Sequence, residues 1–335
     1  MKKILPWLIL IAFTVLTGLT LLLTIEGFTK SISYSSEIIS PEKKTISVVL
    51  VGDIMLNRGV EYMMKTEGNG DFRFPFSKIA KDLKKADILF GNLEGPISDK
   101  GIKVGSIYSF RAEPEAIEGL TFAGFNLISL ANNHAFDYGR EALEDCLAKL
   151  SKAGIDYVGA GFNEGEAYGG RTPVIKEIEG TKIGFLAYTN LGPESWKASE
   201  KNSGIAWISE KDFEKIKKDI ENAKQQSDIL VVSFHTGTEY SKTPNQFQTI
   251  FYKSLIDAGA DFVIGHHSHV VQPVEKYNQG WIAYSLGNFV FDQGFSKETM
   301  QGLMLKVLIE NKKIKNVIPI DIKINNYFQP ESQYY

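Results

Sequence analysis

Read as a pattern of apolar and polar positions, the chain begins Met1-Lys2-Lys3 and then runs from Ile4 to Ile25 without a charge. A helix of about 22 residues rises roughly 33 Å, enough for a ~30 Å hydrocarbon core. A cleaved signal peptide starts with the same basic residues, but its apolar stretch is ~7–15 residues and ends at a small-x-small site. Thr24-Ile25-Glu26-Gly27-Phe28 offers no clear site of that kind. The pattern therefore predicts an uncleaved signal anchor over residues 1–25. Lys2 and Lys3 would hold the short tail in the cytoplasm, leaving everything after Glu26 outside the cell membrane. The Ser-rich stretch Lys30–Ser40, ending at Pro41, reads as part of a linker over residues 26–43.

From Lys44 onward, apolar runs of strand length alternate with segments of helical period. Ile46–Val51, Asp87–Phe90, Asn126–Leu130, Ile155–Val158, Ile229–Phe234 and Phe262–Ile264 read as strands. Between them, Phe76–Lys85, Arg140–Ala153, Lys211–Gln225 and Asn245–Ala258 carry helical spacing. In Arg140–Ala153 the residues Ala142, Leu143, Cys146, Leu147 and Leu150 share one face. Val174–Ile178 with Ile183–Tyr188, and Val274–Tyr277 with Trp281–Tyr284, read as hairpins. Leu303–Ile309 and Ile314–Ile320 are strands joined by a polar turn. The early strand–helix units followed by hairpins predict two sheets packed face to face with helices outside, in one domain over residues 44–322. Residues 323–335 are polar and aromatic without period, and the expectation there is a loosely ordered tail.

Composition narrows the chemistry. The formal net charge of −3 leaves no basic footprint, so nucleic acid is not an expected partner. The single cysteine, Cys146, excludes a disulfide framework and a Cys-rich zinc module. The five histidines, His134, His235, His266, His267 and His269, each lie just past the end of an apolar strand. Ligands bind at that edge in α/β sheets. Two further strands bring Asp53 and Glu94 to the same edge. Imidazole with carboxylate suits divalent Zn, Mn, Fe or Mg. In His267-Ser268-His269 an extended backbone would point both imidazoles to one side.

Taken in order, the motifs are Val51-Gly52-Asp53-Ile54-Met55-Leu56, Gly91-Asn92-Leu93-Glu94-Gly95-Pro96 and Ser129-Leu130-Ala131-Asn132-Asn133-His134 with Asp137-Tyr138-Gly139. His235 ahead of Glu239-Tyr240, Gly265–Pro273 and Ser285–Asp292 follow. Together they closely resemble the CapA family of capsule (poly-γ-glutamate) biosynthesis proteins, within the calcineurin-like metallophosphoesterase superfamily. The resemblance implies a four-layer α/β/β/α sandwich behind the N-terminal transmembrane helix, with one or two divalent metal ions at the strand ends. It implies metal ligation by Asp53, Asn133, His235, His267 and His269, and contact of His134 with the transferred group. Glu94 lies in the motif that supplies a bridging carboxylate in the wider superfamily. Met55 stands where that superfamily has histidine and Asn92 where it has aspartate, so Glu94 would have to reach back to serve as the bridge.

Asp137 would orient His134 for proton transfer, and Arg111 would hold a substrate carboxylate or phosphate. Asn92, His266 and Asn288 would support the ligands through hydrogen bonds. The function implied is an anchored capsule protein that handles or exports the polyanionic polymer with membrane subunits of a capsule synthase. A metal-dependent hydrolase of the cell envelope (phosphoesterase or amidase) and a binding module with a structural metal are the alternatives.

Overall fold

The computed structural model describes residues 45–169 and 173–332, together with Thr14 and Thr17. The apolar run Ile4–Ile25 and the linker therefore lie outside the described residues, apart from those two threonines. No helix among the described residues is long and apolar enough to cross a membrane.

The chain runs β1 (Ile46–Ile54), α1 (Arg58–Thr66), α2 (Ala80–Leu83), β2 (Ile88–Leu93), α3 (Ile117–Ala123), β3 (Leu127–Ser129), α4 (Gly139–Lys152) and β4 (Asp156–Val158). β1, β2, β3 and β4 are successive parallel neighbours. Next come β5 (Ala160–Gly161), α5 (Glu164–Tyr168), β6 (Val174–Ile178), β7 (Thr181–Thr189), β8 (Gly204–Ile205), α6 (Phe213–Gln226) and β9 (Ile229–His235). They are followed by α7 (Gln246–Asp257), β10 (Phe262–His266), β11 (Val274–Tyr277) and β12 (Gly280–Ala283). A second sheet forms in the order β11-β12-β10-β9-β7-β6, while β5 and β8 pair separately. The chain then returns to the first sheet with β13 (Asn288–Val290), β14 (Gln301–Glu310), β15 (Lys313–Ile324) and β16 (Pro330–Ser332), giving the order β16-β15-β14-β1-β2-β3-β4 with β13 also paired to β1.

Every residue of β1 is buried because both of its faces are covered, which explains its nearly continuous apolar run. Its Val48 and Leu50, with Phe90 and Leu127, face Phe185, Val231, Phe262 and Ile264 of the second sheet. Phe90 and Phe185 stack there with ring centroids 5.8 Å apart. On the opposite face, Val49 and Val51 pack with Met64 of α1, Leu120 of α3 and the α4 residues Leu143, Cys146, Leu147 and Leu150. Outside the second sheet, Ile216 and Ile220 of α6 and Phe251 and Leu255 of α7 cover Leu230, Val232 and Val263. The layers are thus helix, sheet, sheet, helix, as expected.

Two local expectations fail, and one helix was not anticipated. Phe76–Lys85 is not one helix: Pro75 sits in a 3-10 turn over Phe74–Phe76, and only Ala80–Leu83 is α-helical. The unanticipated helix is α1, of whose nine residues Val60 and Met64 are buried. The expected loose tail is instead built into the first sheet up to Ser332, past the expected domain limit at 322. Asn325 Oδ1 accepts from the Tyr327 and Gln329 amides at 2.9 and 3.1 Å. Gln329 Nε2 donates to the Phe74 carbonyl at 2.7 Å and to Ser77 Oγ at 2.9 Å. These are side-chain hydrogen bonds, which leave no apolar period to read.

Candidate metal centre

The carboxyl ends of β1, β2, β9 and β10 and the loop after β3 meet at one edge. β1 carries Asp53 one residue before its end, β2 carries Asn92 just before Glu94, and β9 and β10 end with His235 and His266. Asp53, Asn92, Glu94, His235, His266 and His269 are all at most 3% exposed. Asn92 Nδ2 lies at the centre, 2.9 Å from Asp53 Oδ1, 3.4 Å from Glu94 Oε1 and 3.2 Å from His235 Nδ1. Its own Oδ1 accepts from Asn132 Nδ2 at 3.1 Å. The other edge of His235, Nε2, lies 2.7 Å from Asn133 Oδ1 and 3.9 Å from Glu94 Oε1. His266 Nδ1 is 3.1 Å from Asp53 Oδ1, and His269 Nδ1 is 3.6 Å from Asp53 Oδ2 and 2.9 Å from Asn288 Oδ1.

The expected residues are therefore together, but one reason given for it is wrong. His267-Ser268-His269 is not extended: His267 and His269 have φ of +89° and +55°. A left-handed backbone is rare for residues other than glycine and concentrates at functional sites. The bends are held by the His267 amide, which donates to Asp53 Oδ2 at 3.2 Å, and by the Tyr240 amide, which donates to the Ser268 carbonyl at 2.8 Å.

Beside this cluster, His134 Nδ1 lies 2.7 Å from Asp137 Oδ2, which also accepts from the Phe110 amide at 2.7 Å. The Phe110 ring packs on the imidazole at 4.0 Å. His134 Nε2 is 4.0 Å from Glu94 Oε2, so the ring stands between its orienting carboxylate and the buried cluster. A cleft of about 350 Å³ opens there, lined by Asn133, His134, Asp137 and His267, by Ser106 and Ser109, and by apolar Val104, Leu191 and Trp196.

Arg111 is the exception among the expected site residues. Its Nη1 donates to the carbonyls of Lys100 and Gly101 at 2.8 and 3.2 Å, and its guanidinium lies 4.1 Å over the Tyr138 ring. It braces the loop beside the cleft and is not among the residues lining it. Two contributors went unassigned from sequence. Asn132 Nδ2 donates to Asn92 Oδ1 and to the Leu93 carbonyl (2.8 Å), a bond that its position beside Asn133 and His134 does not reveal. Glu239, within the quoted His235–Tyr240 motif, comes within 4.8 Å of the ligand atoms of His267 and His269.

Burial sets the charges. It pushes the Glu94 carboxyl well above its usual range, reinforced by the negative charge of Asp53, Glu239 and Asp137. Burial works the same way on Asp53, but the hydrogen bond from His266 and the pull of His266 and His269 outweigh it and hold that carboxyl low. The imidazole of His235 is pushed well below 6.5 by burial and then by the other histidines. His267 falls to about 3 by burial and by His269, and burial lowers His269 too. Neutral imidazole is the form that ligates metals.

The residues fit a divalent cation. Glu94 Oε2 and His267 Nδ1 are buried without a hydrogen-bond partner, an arrangement that costs about 1–3 kcal/mol per group unless something else satisfies it. Asp53, Glu94 and His235 place one ligand atom each within 4.8 Å of one another. Carboxylate oxygen with imidazole nitrogen is a donor set for Zn, Mn, Fe or Mg.

The layered architecture, with this cluster at its strand ends, defines a protein of the metallophosphoesterase-like fold. A crystal structure described as a novel phosphatase from Mycoplasma pneumoniae is similar over 84% of this chain and 94% of that one, with a TM-score of 0.51 at 15% identity, a likeness of fold. Sequence supplies the family. The model for the bacterial capsule synthesis protein PGA_cap matches residues 47–293, and the chain belongs to that family. It is 32% identical to the capsule biosynthesis protein CapA of Bacillus anthracis, over 84% of this chain and 69% of that protein. Identity to the PGA biosynthesis protein CapA of Bacillus subtilis is 33%, over 84% and 74%. A probable polyglutamine synthesis accessory protein of Mycobacterium tuberculosis is 30% identical over 74% of each chain.

Proposed function

We propose that this protein is a membrane-anchored, extracytoplasmic component of poly-γ-glutamate capsule production that engages the polymer at a divalent-metal site. The observation that carries the reading is the buried cluster of Asp53, Glu94 and His235 beside His267 and His269, bordered by the cleft at Asn133 and His134. Asp53, Asp137 and Glu239 alone would repel a polyanion, and cations held at the cluster reverse that field. Val104, Leu191 and Trp196 offer an apolar wall to the methylene groups of glutamyl units. Lys2-Lys3 and the uncharged Ile4–Ile25 run support the anchor, and membrane subunits of a capsule synthase are the expected partners.

The His134–Asp137 pair favours a second reading, in which the bound chain is hydrolysed. Asp137 holds the imidazole by Nδ1 and leaves Nε2 free to give or take a proton at the cleft. A cation bound by the cluster would supply Lewis-acid polarisation of a carbonyl or phosphoryl oxygen. Asn133 and His267 line the cleft beside His134 and would position the group being cut.

Both readings are tested with the purified full chain and poly-γ-glutamate. Metal content, polymer binding with and without chelator, and polymer length are measured for wild type, His235→Ala and His134→Ala. Loss of binding on chelation and in His235→Ala supports metal-dependent engagement. Shortening by wild type, with His134→Ala binding but not shortening, supports hydrolysis. Polymer binding indifferent to chelator and to His235→Ala overturns the metal-site reading.

A further inference from the structure

We infer that the site has two unlike cation positions and that Glu239 is a ligand of the outer one, an inference that rests on the metal reading above. The ligand-type atoms fall into two sets with no residue in common. Asp53, Glu94 and His235 form one, all buried, and Glu239, His267 and His269 form the other, with Glu239 exposed. The inner set has two carboxylates and one imidazole, the outer set one carboxylate and two imidazoles.

Several features place Glu239 for this task. It lies on the loop after β9, which turns at Gly237 with φ +118° and again at Tyr240 with φ +61°. The Thr236 amide donates to the His266 carbonyl at 3.3 Å, and the Tyr240 amide to the Ser268 carbonyl at 2.8 Å. The Tyr240 ring stacks on His269 at 6.0 Å. The loop of Glu239 is thus stitched to the loop of His267 and His269 on both sides of the carboxylate.

A further observation points to a ligand. His267 is 7% exposed, and its Nδ1 is buried without a partner. Met55, which follows β1, is fully buried in the core, where its sulfur accepts from the Asn57 amide at 3.1 Å. Asp53, 3.6 Å from His269 Nδ1, already belongs to the inner set, and Glu239 is the further carboxylate that groups with the two outer imidazoles. The inner position is enclosed, whereas the outer has its carboxylate in solvent. The outer cation is the weaker and the faster to exchange.

The test is stoichiometry. The full chain is stripped with chelator and titrated with Mn²⁺, in wild type, Glu239→Gln and Glu94→Gln, by calorimetry and by metal analysis after gel filtration. Wild type should take two equivalents of unequal affinity. Glu239→Gln should keep the tight one and weaken the other at least ~100-fold, the upper end of what loss of a mere supporting partner costs. Glu94→Gln should weaken the tight one. Since the Glu239 side chain is exposed, circular dichroism and the unfolding midpoint of chelated Glu239→Gln should match wild type. Two unchanged equivalents in Glu239→Gln, or a single equivalent in wild type, overturns the inference. No bound Mn²⁺ in wild type overturns the metal reading beneath it, a distinct result.

Discussion

Replacing Glu94 by glutamine should stabilise the chelated protein and weaken the metal-loaded one. Glu94 is 2% exposed, its Oε2 has no partner, and its Oε1 shares Asn92 Nδ2 with Asp53. Glutamine keeps the shape but cannot ionise, so the gain is the stability that wild type loses when its unfolded chain gives up the proton, about 1.4 kcal/mol for each pH unit above 4.5 until the folded value is passed. The pH dependence has a definite sign. Below the ordinary glutamate value of 4.5, folded and unfolded chains both hold the proton, and the group costs nothing. As pH rises through that value the unfolded chain releases the proton while the folded chain, with its raised pKa, keeps it. Stability then falls with pH by up to about 1.4 kcal/mol per unit until the folded value is passed. Urea unfolding at pH 5, 6, 7 and 8 with chelator should show this decline in wild type and a flatter profile in Glu94→Gln. With divalent metal at 100 times its dissociation constant, wild type should gain ~2.7 kcal/mol and the variant less, reversing their order. Chelated Glu94→Gln that is less stable than wild type across this range, with a parallel pH profile, refutes the picture of a strained buried carboxylate.

Four further outcomes are expected. His267→Asn should lessen the acid sensitivity of the chelated protein, because the depressed pKa near 3 means wild type loses stability as pH falls from 6.5 toward 3; urea midpoints at pH 6.5, 5 and 4 measure it. Asp137→Asn should cost ~1.5–3 kcal/mol in urea unfolding, since it weakens two hydrogen bonds to a charged acceptor, while Mn²⁺ content stays unchanged. Gly52→Ala would put a Cβ 1.9 Å from the Gly287 carbonyl oxygen, so it should destabilise by about 3 kcal/mol or more and lower metal content by parting Asp53 from Asn288. Gln329→Ala should lower stability by ~1–3 kcal/mol and speed proteolysis after Ile324, followed by mass spectrometry, because it removes the bonds to Phe74 and Ser77.

Strand ends were legible because buried parallel strands must be apolar on both faces and must stop where polar ligands begin. The runs before Asp53, His235 and His266 announce this in one dimension, and the structure sets them side by side. What stayed hidden was arrangement that leaves no period. Glu239 sits four residues past His235 on a loop whose course depends on Gly237, Tyr240 and a bond to Ser268, none of which spacing reveals. His267 and His269 converge through left-handed turns rather than strand alternation. Arg111 was expected at the substrate, but the carbonyls of Lys100 and Gly101 claim its guanidinium. β16 and its turn are held by Asn325 and Gln329, polar residues that look like tail in a hydropathy trace.

The pairing of Ile46 with Ile309 gives the first sheet an assembly order. β1 is made before β14 and stays without that neighbour until nearly the whole domain has been made. Its apolar edge is open to other chains during that wait, and such distant pairing slows folding. Asp53 cannot settle against Asn288 and His266 before those late residues arrive. The cluster of carboxylates and imidazoles is therefore complete only once Asn288 has been made, and a polypeptide cut short before His266 is left with a sticky strand and no site.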